Sequence, residues 1–140
     1  MLKGASPQQL TALHLADSIE SYEYISSSAA SAVIPNINDS EEWMKTVECL
    51  GSIGIAGSLQ EDIFRLLAAI LHMGNVAFER APEGEDDQVS MPTTETAEAL
   101  RLAAELLGAD SADMLSCLTK QNMYVGGATI VKAQTFSQVS

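Results

Sequence analysis

The sequence predicts a mainly α-helical chain of about five helices with a short β-hairpin near its C-terminus. Three observations predict it. Apolar residues recur at spacings of three and four in several separate segments. Most of those segments open on a capping side chain and stop at glycine. Beyond residue 120 the period changes, where Met123-Tyr124-Val125 and Thr129-Ile130-Val131 flank Gly126-Gly127.

The first helix opens at Ser6-Pro7, a capping hydroxyl followed by proline at the first helical position. It is expected to run to about Leu15 and to bury Leu10 and Leu13, with His14 as a further candidate. Periodicity then fades over residues 17–38, which read as a connecting segment on the surface. A second helix opens at Asp39, with Glu42 as the reciprocal capping partner. Trp43, Val47, Leu50 and Ile53 form its apolar face; Gly51 weakens it, and Gly54 or Gly57 ends it. The third helix opens at Ser58 with Glu61 as its capping partner, and Gly74-Asn75 closes it. Ile63, Phe64, Leu66, Leu67, Ile70 and Leu71 make it apolar over more than half its girth, the pattern of a helix buried on several sides.

Val76-Ala77-Phe78 reads as a short strand and residues 81–92 as an exposed loop rich in proline and acids. A fourth helix is expected from about Thr94 to Leu107, with Ala97, Leu100, Ala103, Ala104 and Leu107 on its face and Gly108 as its stop. Asp110 caps a fifth over residues 111–118, which buries Met114, Leu115 and Leu118. Two glycines between β-formers then predict a tight hairpin, because the favoured turn needs positive φ at both central residues. Thr135 and Gln138 make a further capping box close to the last residue, so the C-terminus reads as truncated.

The chain has 140 residues, 46% of them apolar, and a formal net charge of −12. That charge argues against nucleic acid and anionic membrane as partners, since both favour a basic face. Much of the excess lies at Glu79, Glu83, Glu85, Asp86 and Asp87, opposed only by Arg80. The longest apolar run, residues 66–71, falls far short of the ~20 needed to cross a bilayer. No signal-peptide pattern opens the chain, so a cytoplasmic location is expected. Cys49 and Cys117 lie in helical apolar patterns and read as reduced core thiols.

Catalytic chemistry finds no candidate residues. The serines cluster in caps and in a Ser-rich linker, with no base beside them. The acids of residues 83–87 are adjacent and exposed by composition, unlike a buried pair with split pKa values. His14 and His72 are far apart and have no ligand-spaced partner, so no metal is expected. His72 reads as a core histidine near a helix C-terminus. The phosphate-binding loop Gly-x-x-x-x-Gly-Lys-Ser/Thr is absent.

One family is resembled in segment order. The stretch Asp62-Ile-Phe-Arg-Leu-Leu-Ala-Ala-Ile-Leu-His-Met-Gly-Asn-Val76, ending in Phe78, resembles a buried helix and following strand in the upper part of the actin-binding cleft of the myosin motor head. Residues 39–54, Tyr22-Glu-Tyr24 and Ile34-Pro35 resemble the segments before it. Residues 99–108 with Asp113-Met-Leu115 resemble the next helix pair, and Val125-Gly-Gly-Ala-Thr-Ile-Val-Lys132 the hairpin that closes the region. Met1-Leu2-Lys3-Gly4 resembles an internal stretch of the head.

The resemblance implies that residues 1–140 are part of the upper actin-binding subdomain of a larger α/β motor domain, truncated at both ends. It implies an actin-based, ATP-driven motor, with ATP and magnesium bound in the parent head and no cofactor in this segment. The implied partners are the actin filament and the remaining segments of the head; the implied location is cytoplasmic and cytoskeleton-associated. Two elements match actin-facing regions of the family. One is the loop of residues 79–91, with Glu83, Glu85, Asp86 and Asp87. Their charge predicts repulsion from an acidic partner or attraction to a basic patch. The other is the hairpin of residues 120–132, with Lys120, Asn122, Tyr124, Gly126, Gly127 and Lys132. Asn122 stands where family members commonly carry arginine. The alternative reading is a stand-alone helical interaction module without motor activity.

Overall fold

The computed structural model describes residues 1–26, 36–80, 90–94 and 96–134. They form two compact units, residues 1–75 and residues 76–140. The Val33-Ile34-Pro35 stretch, the acids at residues 83–87 and the capping box at Thr135 lie outside the described residues.

In the first unit, α1 spans Pro7–Ala12, with Ser6 and Gln9 forming a reciprocal capping box. The helix stops sooner than periodicity predicts. His14 takes a left-handed φ of 54°. The Leu15 amide then returns to the Leu10 carbonyl and the His14 amide to that of Thr11. This paired closure buries Leu10, Leu13 and Leu15 and turns His14 outward, so His14 is not a core residue.

The segment expected to be a plain connector folds locally. A 3-10 turn, Ile19–Ser21, leads into α2, Glu23–Ser26. Between them Tyr22 is only 2% exposed, and its hydroxyl accepts the Ala16 amide at 2.8 Å. Burial pushes the phenol above its usual pKa, partly opposed by that amide.

Helix α3, Asp39–Ser52, is capped one residue earlier than predicted. Asn38, not Asp39, accepts the Ser40 and Glu41 amides and donates to the Glu41 carboxylate. Trp43 is buried, whereas Val47 and Leu50 are half-buried. Ile53 is 73% exposed because it is already the C-cap, carried off the helical face as the chain turns at Gly54. Cys49 also points to solvent, which corrects the expectation of a core thiol.

Helix α4, Ser58–Gly74, follows a turn at Gly57, which itself occupies the N-cap. Ser58 is therefore the first helical residue and not the cap. The buried stripe is Phe64, Ala68, Ala69 and His72. The Phe64 ring lies 4.7 Å from Trp43, tilted by 49°. His72 meets Tyr22 edge-on at 6.0 Å. Leu66, Leu67 and Ile70 are 49%, 44% and 44% exposed, so the helix is not enclosed on the several sides that its sequence anticipates.

The end of α4 is held from both sides. The Asn75 amide group donates to the Ser21 carbonyl at 2.6 Å, and its oxygen accepts the Glu23 amide at 2.9 Å. One residue earlier, a Cβ on Gly74 would sit 2.7 Å from the Tyr24 ring. Asn75 thus bonds the turn between Ser21 and Glu23, while Gly74 lets α2 lie against α4.

In the second unit, β1 (Phe78–Arg80) pairs antiparallel with β2 (Ser90–Pro92). The outer residues of the predicted loop are therefore a ribbon. The strand was expected at residues 76–78 and begins instead at Phe78. The Thr93 amide and the Thr96 hydroxyl both reach the Ala77 carbonyl, at 3.0 and 3.1 Å. That anchorage delays α5, which runs Ala97–Leu107. Its buried residues are Leu100, Ala103, Ala104 and Leu106; Ala97 and Leu107 face outward instead. Gly108 stops it at a φ of 66°. Arg101 on its outer face grips Glu98 through two nitrogens and Glu105 through a third contact, each at 2.8 Å.

Helix α6, Ser111–Thr119, packs against α5. Met114, Leu115 and Leu118 are only half-buried, and Cys117 is exposed, again unlike a core thiol. The hairpin of β3 (Lys120–Val125) and β4 (Ala128–Ala133) follows as predicted.

Two outcomes follow from the α4 closure. Replacing Asn75 by alanine removes both of its bonds, each worth about 1 kcal/mol, and speeds hydrogen exchange at the Glu23 amide about fivefold or more. Unchanged exchange at Glu23 refutes the role given to Asn75. Gly74→Ala puts the better helix former into a helix, which by propensity alone gains about 1 kcal/mol. The Tyr24 ring reverses the sign, and a lower urea midpoint than wild type is the expected result.

Candidate functional site

The hairpin grows out of α6. Asp110 caps that helix, accepting the Ala112 and Asp113 amides at 2.8 and 3.0 Å. At its other end Thr119 is buried, and its hydroxyl donates to the Leu115 carbonyl at 2.8 Å. Strand β3 begins at the next residue. The Gln134 amide, just past β4, donates to the Thr119 carbonyl at 2.7 Å, so the helix end ties both strands at their base. At the tip Gly126 and Gly127 have φ of 61° and 85°, the two left-handed residues that the turn requires.

Register decides which residues meet. Lys120, Asn122 and Tyr124 stand opposite Ala133, Val131 and Thr129. Gln121, Met123 and Val125 stand opposite Lys132, Ile130 and Ala128. Because directly opposed residues share a face and successive ones alternate, these are the two faces of the ribbon. The structure therefore gathers Lys120, Asn122 and Tyr124 on one side and puts Lys132 on the other. Thr129 and Val131 join the Tyr124 side, a grouping that the period of two and the Gly-Gly turn already encoded. Both strands are exposed along almost their whole length.

The hairpin also differs electrically from the rest of the chain. No Asp or Glu occurs after Asp113, while Lys120 and Lys132 both fall in that stretch of a chain whose net charge is −12. Lys45 and Arg101 contact carboxylates at 2.7 and 2.8 Å on their own helices. Among the described residues Lys120 and Lys132 join no ion pair. Glu83, Glu85, Asp86 and Asp87, the other actin-facing candidates, lie outside the described residues; only the β1–β2 stem beneath them is described.

Elsewhere the first unit carries an open cleft of about 340 Å³ bordered by Leu13, Trp43, Phe64, Gln60, Glu61 and Arg65. The Gln60 amide there is committed to the Val47 and Ile55 carbonyls at 3.0 and 3.3 Å. No nucleophile paired with a base borders the cleft. Among the described residues no three His, Cys, Asp or Glu side chains are placed to hold a metal ion. Among the same residues no helix is long and apolar enough to cross a membrane.

Comparison with known proteins gives the family. The profile of the family "Myosin head (motor domain)" matches residues 1–140. Myosin-13 of Arabidopsis thaliana is 38% identical over 130 residues, which is 93% of this chain and 8% of that protein. Myosin-2 of Saccharomyces uvarum is 32% identical over 138 residues, 99% of this chain and 8% of that protein. The non-muscle myosin heavy chain of Drosophila melanogaster is 31% identical over 139 residues, 99% of this chain and 6% of that protein. The chain thus spans only 6–8% of the length of these relatives. With the family profile matched from the first residue to the last, the chain belongs to the myosin head (motor domain) family.

Proposed function

We propose that residues 1–140 are part of an ATP-driven, actin-based motor head, to which they supply actin-contact surface and helical scaffold. The observation that carries this reading is the hairpin. It is exposed along both strands, acid-free in an acidic chain, and set in a chain that the myosin-head profile matches throughout. The exposed Leu66, Leu67 and Ile70 on α4 add support, since an apolar helix face in a motor head is where further polypeptide packs.

ATP and magnesium belong to the parent head in this reading. The residues present do not fit them. The sequence has no Gly-Lys phosphate loop, and the described residues offer no metal-ligand cluster. No catalytic step is therefore assigned to this chain. Its contribution to the motor is binding, through Lys120, Asn122, Tyr124, Gly126, Gly127 and Lys132, with Glu83, Glu85, Asp86 and Asp87 as the second candidate contact. Its location follows that of the filament, in the cytoskeleton.

Two measurements test the proposal. Purified residues 1–140 release no phosphate from ATP, with or without actin filaments; sustained actin-stimulated release would overturn the division of labour. The same chain co-sediments weakly with filaments at low ionic strength. That binding fades as salt passes ~0.1 M, where the Debye length shrinks to ~10 Å. Pelleting insensitive to salt, or absent at every salt concentration, favours a helical module with some other partner.

A further inference from the structure

We draw no further inference here: the strongest candidate, the open cleft of about 340 Å³ between α1, α3 and α4 that is lined by Trp43 and Phe64 and bordered by Glu61 and Arg65, is an apolar groove for which nothing in the structure shows what covers it.

Discussion

The closure at the end of α4 is the constraint on which the first unit depends. Asn75 bonds Ser21 and Glu23 across 54 and 52 residues of sequence, and Gly74 leaves room for the Tyr24 ring. With His72 set edge-on to Tyr22, three of the four residues from His72 to Asn75 hold one distant segment. Without this closure the 3-10 turn and α2 are two very short helical pieces, and pieces of that length do not persist in water alone. The His-Met-Gly-Asn run is thus a packing device, with histidine as an edge, glycine as a gap and asparagine as a bidentate clasp.

The apolar character of α4 has two causes, and the structure separates them. Phe64, Ala68, Ala69 and His72 are buried where they stand. Leu66, Leu67 and Ile70 are half in water. Ile53, Met44 and Leu59, at 73%, 62% and 52%, add further apolar surface to the same unit. Single exposed apolar residues are ordinary, whereas larger contiguous apolar patches mark sites of further packing. The hairpin in the second unit has the same character, with an apolar face lying bare.

Local chemistry was legible where it acts over three or four residues. The Ser6 cap, the Asp110 cap, the Gly108 stop and the Gly126-Gly127 turn all stand as read. The Asn38 cap was missed by one residue because Asp39 offers an equally good side chain. His14 was missed because it fills a left-handed position usually given to glycine, so α1 shows no stop signal. Periodicity over-read α3, where Ile53 continues the apolar spacing after the backbone has begun to turn; Leu107 does end α5 as read, but faces outward. Both cysteines fell in apolar patterns but on outward faces.

By itself the sequence determined the five longer helices, the Ser6 and Asp110 caps, the hairpin and its turn, because each is set by contacts between near neighbours. Its segment order also disclosed the family. Only the tertiary structure decided what those elements face. The Asn75 clasp, the anchorage of Thr93 and Thr96 on Ala77, the β1–β2 pairing and the burial of Tyr22 all join residues too distant for a period to register. The same holds for α4, whose composition states that it is apolar on most sides but not which sides this chain covers. That depends on which surfaces compete to bury it, and a one-dimensional pattern carries no such information.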